Sequence, residues 1–569
     1  GLISAGGGVF SRAAKSINIS PEMQQRFDIR ASAMTPAELI HALLKSPCDL
    51  LWNGGIGTYV KSSEEQHAEV GDKANDAVRV DGKELRCRVV GEGGNLGLTQ
   101  LGRVEYSLGG GRSNTDFIDN AGGVDCSDHE VNIKILLNAV VARGDLTLKH
   151  RDKFLQEMTD SVAELVLRNN YRQAQAISIA ESEAVQRSGE YRRVLSRLEQ
   201  LGLLDRDLEF LPSDEQLAER RLQNQGLTRP ELSVLISYSK GILKEALAVS
   251  AISDDSYLAA AVTGGFPAAV VDSYGKEVGQ HRLAREVVAT QIANDLVNRM
   301  GVSFIGRLIS STGASVPEIA IAYSASREIF QLDEYWEAIE ALDFSIDAAL
   351  QLEMMRELIR LIRNACRWLL RNRRNGLDAG TAIAEFKDGV VEIAAVMPTL
   401  LCGDSAQAVQ ERLQQLQDSG VPKQLAQFVA GADHLYSALG IISAAAEHEA
   451  TNLEVGTLFY RLGETLELDW FARLVTGITV ENEWQAQARD TYLEDLQWQQ
   501  RSLAVGALKH VCEERDTELC LQRWTEQEST LIERWKTMLG ELHAAKTPDF
   551  AMFAVANREL LDLAQSSLN

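Results

Sequence analysis

The sequence predicts a small parallel α/β sheet followed by a large all-α region. Within Arg86–Arg143 one pattern occurs twice. Val89-Val90 breaks into Gly91-Glu92-Gly93-Gly94-Asn95, and a helix-like segment follows. A second short strand, expected at Thr115–Ile118, breaks into Asn120-Ala121-Gly122-Gly123 before a strongly apolar helix. Strand, glycine turn and helix in succession are the grammar of a parallel sheet that binds a ligand at its strand ends. From Leu146 onward the apolar spacing is helical, and ten prolines in 569 residues suit long helices.

A chain of 569 residues exceeds what one hydrophobic core sustains, so several domains are expected. The division read from the pattern is 1–147 for the α/β part, 148–400 for a helical domain and 401–569 for an acidic helical region. No long uncharged apolar run is present that could span a bilayer, so no membrane partner is expected. The formal net charge is −24. Residues 1–150 carry 16 Lys+Arg against 19 Asp+Glu, so most of the excess lies beyond them. An acidic surface repels phosphate backbones and excludes general nucleic-acid binding. The seven cysteines, Cys48, Cys87, Cys126, Cys366, Cys402, Cys512 and Cys520, show no CxxC spacing. That odd, scattered set suits reduced thiols in a cytoplasm better than a disulfide framework or a zinc site.

Taken in order, Leu2-Ile3-Ser4 resembles the end of a strand, and the chain opens on Gly1 without a signal-peptide pattern, so an internal fragment is expected. Ser4–Ile19 begins with three glycines and carries Arg12 and Lys15. It reads either as an anion-cradling turn before a helix or as a flexible surface loop. Thr35-Pro36-Ala37-Glu38 is a capping box with proline at the first helical position, starting a helix through Leu44. Asp49–Trp52 reads as a short buried-type strand ending in Asn53-Gly54-Gly55-Ile56-Gly57-Thr58. Glycines there let a ligand approach the backbone, although a plain tight turn has the same composition. Glu64–Val80 is polar and expected to be helical.

Gly93, Gly94 and Gly97 surround Asn95, whose amide both donates and accepts, as a carboxamide or ribose requires. Asn120 holds the same place after the second expected strand. Asp125, Ser127, Asp128 and Glu130 are expected in the first turn of the following helix, where acids complement the macrodipole. Asp125, Asp128 and His129 also admit a metal-ligand reading, which capping makes unnecessary. Ser127 places a hydroxyl where a carboxylate could be held.

Lys149–Arg168 and Glu190–Leu203 read as amphipathic helices. Thr228-Arg229-Pro230-Glu231 and Ser315-Val316-Pro317-Glu318 are two further helix starts. Ile346–Arg374 is expected to be one long helix with a basic stripe: Arg356, Arg360, Arg363, Arg367, Arg371 and Arg374. In so acidic a chain that stripe is expected to dock on an acidic face of the same or a neighbouring subunit, with a solvated stripe or an anionic effector site as alternatives. Residues 401–569 hold 13 cations and 26 acids. Trp470, Trp484, Trp498, Trp524 and Trp535 lie among them and read as packing anchors.

GEGGNLGLTQ followed by FIDNAGGVDCSDHEVNIKILLNA resembles the large bacterial NAD-specific glutamate dehydrogenases, as do GGGVFSRAAKSI and DLLWNGGIGTYVKSS upstream. RWLLRNRRN and the helical remainder look like the same family's C-terminal region. The resemblance implies a truncated Rossmann-like cofactor domain, NAD as cofactor, and oxidative deamination of L-glutamate to 2-oxoglutarate and ammonia by a homo-oligomer. It implies cofactor-binding roles for Asn53, Gly54, Gly55, Gly93, Gly94, Asn95, Asn120, Gly122 and Gly123. It implies substrate-binding roles for Ser127, on a carboxylate, and Val124, along the side chain.

The sequence contains no KGG-type segment and no complete GxGxxG. The family's catalytic lysine and aspartate and its first nucleotide-binding turn are therefore expected upstream of Gly1, with no catalytic residue and no turnover in the chain alone. The competing reading is a helical regulatory or oligomerisation module that binds an effector or another subunit.

Overall fold

In the computed structural model, 71% of the chain is helical, beside a small parallel sheet. Residues 3–373, 376–480, 483–509 and 516–568 are described. Packing groups the chain into two compact units, Gly1–Arg307 and Leu308–Asn569. This division differs from boundaries at 147/148 and 400/401. Within the first unit, the helices Thr159–Ser182 and Arg229–Ala248 pack on the α/β elements rather than apart from them.

In the first unit the strands are β1 (Ile17–Asn18), β2 (Ala33–Met34), β3 (Leu50–Asn53), β4 (Val60–Lys61), β5 (Val80–Asp81), β6 (Val89–Glu92) and β7 (Arg112–Ser113). The central sheet has the order β3-β6-β7 and is parallel throughout, pairing Leu50 with Val89, Asn53 with Glu92, and Val89 with Arg112. The helices that build the site are α1 (Pro21–Phe27), α2 (Pro36–Leu44), α3 (Gln100–Leu108), α4 (Asp116–Asp119), α5 (Ala121–Ala142), α6 (Leu148–Glu157), α7 (Thr159–Ser182), α8 (Ser188–Gln200) and α9 (Arg229–Ala248). One face of the sheet is covered: Val90 packs with Val60, Val80, Leu98 and Tyr106. The other face presents Leu50 and Trp52 to solvent, 56% and 61% exposed. Asp49–Trp52 is therefore a strand, but not a buried one.

Several expectations are corrected. The second strand is Arg112–Ser113, and Thr115–Ile118 enters helix α4 instead. The cause is Asp116 and Asp119, whose i, i+3 spacing on a helical turn aims one carboxylate at the turn after β6 and the other at Glu92, the strand's last residue. Glu64–Val80 is not one helix: His67–Val70 forms a single turn, and Gly71 ends it at φ 75°, a left-handed stop that favours glycine. Lys149–Arg168 is split between α6 and α7 at Met158. Ile3-Ser4 form no strand, and the glycines after Ser4 lead through irregular backbone to β1 rather than into a helix. The capping boxes at Thr35, Thr228 and Ser315 are all formed. No single helix among the described residues is long and apolar enough to cross a membrane.

The second unit is all helix. Its central element is α10 (Ala348–Asn372), whose Met354, Leu358, Leu361, Ile362, Ala365 and Leu369 are fully buried. The basic stripe on the same helix meets acids of the same unit. Arg360 lies 3.2 Å from Asp433, on α11 (Lys423–Leu435). Arg367 lies 3.3 Å from Asp490 and 3.2 Å from Glu494, both on α12 (Glu483–Leu508), and Arg371 also pairs with Glu494. Arg374 and Cys512 lie outside the described residues. Trp524 and Trp535 are buried anchors whose indole N–H groups donate to Ser567 and to the Leu466 carbonyl. Trp470 stacks on His543, whereas Trp484 is exposed and Trp498 partly so.

Candidate functional site

The C-terminal ends of β3 and β6 release two glycine turns side by side. The Asn53 carbonyl accepts from Gly93 N at 2.8 Å and Gly94 N at 3.1 Å, so the second turn hangs on the last residue of the first strand. Their contact leaves no room for side chains. A Cβ on Gly94 would lie 2.5 Å from the Gly55 carbonyl, and one on Gly97 would lie 1.8 Å from the Asn53 amide. Gly93 is covered by the Trp52 indole, which a Cβ there would meet at 2.5 Å. These glycines are therefore required by the turns' own packing. Open space lies instead over Gly55 and Gly123, where a Cβ would meet nothing within 4 Å.

Asn95 stands at the tip of the β6 turn, between Gly94 and a strained residue. Leu96 adopts φ 56°, a left-handed conformation disfavoured for a leucine. It is held at both ends: its N–H donates to Asp116 at 2.8 Å, and its carbonyl accepts from the Thr58 hydroxyl at 2.7 Å. Asn120 closes α4 and opens α5, serving as the boundary residue of both. Its amide nitrogen donates to the Asn95 side-chain oxygen. The two asparagines, 25 residues apart, thus meet where the β6 turn and the α4–α5 junction converge.

Val124 and Ser127 follow Asn120 at i+4 and i+7, which places all three on one helical face. Val124 is 68% exposed, and the Ser127 hydroxyl, also exposed, donates to the Gly123 carbonyl at 3.1 Å. Gly122 turns toward Val166 of α7. Asp125, Ser127, Asp128 and Glu130 sit beyond the first turn of α5 rather than in it, because the helix already starts at Ala121. Asp125 and His129 share a different face: Asp125 accepts from Asn169 at 2.9 Å, and buried His129 approaches the Gly265 carbonyl at 3.0 Å. Among the described residues no group of three or more His, Cys, Asp or Glu could hold a metal ion.

Beneath the turns lies a polar network. Glu92, the last residue of β6, is 0% exposed. Its carboxylate accepts from Arg103 Nε at 2.6 Å and Nη2 at 3.0 Å, and from Leu98 N at 3.1 Å. Arg103 also lies 3.3 Å from Asp116. The Glu92 N–H donates to Asp119 at 3.1 Å, and Asp119 accepts from Asn114, which in turn accepts from Arg229 of α9. Burial pushes the Glu92 and Asp119 carboxyls above their ordinary range, opposed at Glu92 by the Arg103 fork and at Asp119 by the Asn114 amide. Farther back, Lys240 of α9 donates to Gln173 at 3.3 Å. Enclosure pulls its amine down to about 7, with Asp125 opposing the shift.

The first-unit sequence matches a family model described as bacterial NAD-glutamate dehydrogenase, catalytic domain, over residues 1–180. Residues 224–562 match one described as glutamate dehydrogenase, C-terminal. The chain belongs to the bacterial NAD-glutamate dehydrogenase family. Relatives named NAD-specific glutamate dehydrogenase are 55% identical in Pseudomonas aeruginosa, 51% in Halomonas elongata and 35% in Mycobacterium tuberculosis. Each is matched over 100% of this chain and 35% of the relative's length, so the chain spans about a third of these family members.

The Glu92–Arg103 pair and the two acids of α4 were not singled out from sequence. One signal was available for the first: Glu92 ends an apolar strand, a place that does not tolerate an unpaired charge, and Arg103 is the next charged residue along the chain. A separate open cleft of about 640 Å³ lies near Phe27, Met34, His41, Lys45 and Arg86. Its charges are largely paired among themselves, Lys45 with Glu84 at 2.6 Å and Arg86 with Asp28 at 2.9 Å. The asparagine turns differ in having open space beside them, over Gly55 and Gly123.

Proposed function

We propose that the chain carries the nicotinamide-facing side of an NAD cleft in a glutamate dehydrogenase. The whole enzyme would convert L-glutamate and NAD to 2-oxoglutarate, ammonia and NADH as a homo-oligomer. The observation that carries this reading is the contact between Asn120 and Asn95. Among the described residues it leaves the Asn95 amide nitrogen and the Asn120 amide oxygen without another hydrogen bond. A primary carboxamide is the complement of that pair, accepting from Asn95 and donating to Asn120. The names of the relatives supply the choice of NAD.

The nicotinamide would accept the hydride. The protein's part would be orientation, because a carboxamide fixed at two points decides which ring face meets the substrate. Asn53, Gly54 and Gly55 would border the ribose, with open space over Gly55. Gly122 and Gly123 would begin α5 beside it. Ser127 would hold a substrate carboxylate and Val124 its methylene chain, on the face of α5 that starts at Asn120. The uncovered face bearing Leu50 and Trp52 supports a Rossmann-like layer of helices over the sheet, since parallel sheets are normally covered on both faces.

Calorimetric titration of NAD into the purified chain tests the reading. Binding that is lost in both Asn95→Ala and Asn120→Ala, with the helical content unchanged, is the expected result. Binding that survives both substitutions overturns it.

A further inference from the structure

Two of the cysteines that are far apart in sequence lie just ahead of paired strands. The β3–β6 pairing begins with Leu50 opposite Val89, two residues after Cys48 and two after Cys87. The backbone bonds continue into that region: Arg88 N donates to the Cys48 carbonyl at 3.1 Å, and Val89 N to the Asp49 carbonyl at 3.0 Å. Both residues belong to one cluster, with Cys87 buried in it and Cys48 packed against it, half-exposed. The hydrogen bond from the residue after Cys87 to the Cys48 carbonyl brings the two backbones into contact. Such contact suits the Cα range of roughly 4.4–6.8 Å over which a disulfide closes.

We infer that Cys48 and Cys87 are a reversible dithiol pair, closed to a disulfide by small-molecule disulfides. Cys48, the more accessible thiol, attacks one sulfur of the oxidant as its thiolate and releases one thiol. Cys87 then loses its proton and attacks the Cys48 sulfur of the mixed disulfide, releasing the second thiol. Two protein thiols are oxidised to one disulfide, and the oxidant disulfide is reduced to two thiols. Tyr106 is placed to assist the second step. Its hydroxyl donates to the Cys87 carbonyl at 3.0 Å and lies 3.5 Å from the Cys87 sulfur, so it can turn to meet the thiolate as that forms. Burial raises the Cys87 thiol and slows this step, while proximity to Cys48 favours it. The crosslink would fasten β3 to β6 at the end opposite the asparagine turns.

The test is oxidation of the native chain with oxidised glutathione, followed by acid quench, unfolding, alkylation and peptide mass mapping. The expected product is a crosslinked peptide pair containing Cys48 and Cys87, lost in Cys48→Ser. In Cys87→Ser, Cys48 is expected to stop as the glutathione mixed disulfide. Exposed Cys126 reports in every sample that the oxidant was active. Recovery of wild-type Cys87 as the alkylated thiol, whether Cys48 carries glutathione or is untouched, overturns the inference. The mapping needs no bound cofactor, so its outcome is independent of the NAD reading.

Discussion

Arg103 and Arg360 are both arginines on helices, both paired with acids, and they do unlike work. Arg103 is 4% exposed and grips Glu92 with two nitrogens, and through Asp116 it reaches the backbone of Leu96. Arg360 is 43% exposed and reaches Asp433 at the edge of a helix whose packing is already secured by buried apolar residues. In the first place a charge sets the shape of a turn. In the second it covers the flank of a structure that stands without it. A cation's contribution therefore follows from its surroundings, and the most conspicuous cations in the sequence are not the ones that shape the site.

The largest expected effect is at the buried pair. Arg103→Met leaves the Glu92 carboxylate in the interior without its partner and should destabilise the first unit by about 3–5 kcal/mol. Denaturant unfolding measures this, and a loss below 1 kcal/mol would erase the contrast with the stripe. Gly97→Ala comes next. Its methyl must displace the Asn53 amide, at a cost of about 1–3 kcal/mol, and the β3 turn should shift while the second unit keeps its stability. Amide exchange resolved along the chain would locate that change.

Lys240→Met reverses the sign. A lysine pulled down to about 7 in the folded chain binds fewer protons there than when unfolded. Its presence therefore costs stability near neutrality, and that cost fades as pH rises from about 7 toward the unfolded value. Discounted for a side chain that keeps some solvent contact, the substitution should stabilise by about 1 kcal/mol. It should also flatten the rise of the melting temperature between pH 7 and 9, which calorimetric scans would show. The smallest effect belongs to Arg360 and Asp433: a double-mutant cycle should return a coupling of about 0–1 kcal/mol that falls further in salt.

Local signals were legible in the sequence. Thr35, Thr228 and Ser315 each announced a helix start, because a capping box is written in four consecutive residues. The glycine turns at Gly54 and Gly93 stood out for the same reason. The course of Thr115–Ile118 was misread because its outcome depends on where Asp116 and Asp119 find partners, at Leu96 and Glu92, some twenty to thirty residues away. Lys240 could not be separated from other helical lysines, since its environment is assembled from α5, α7 and α9. The pairing of Asn95 with Asn120 was suggested by family resemblance and by their like positions after expected strands. Their contact is a product of folding alone.

Leu96 has a further consequence. Its backbone is fixed by Asp116 on one side and Thr58 on the other, and the preceding Gly94 rests against Gly55. The peptide that carries Asn95 has therefore surrendered its conformational freedom during folding. A ligand arriving at the turn need immobilise only the torsions of an asparagine side chain, so the entropy that loops commonly lose on binding is here lost beforehand.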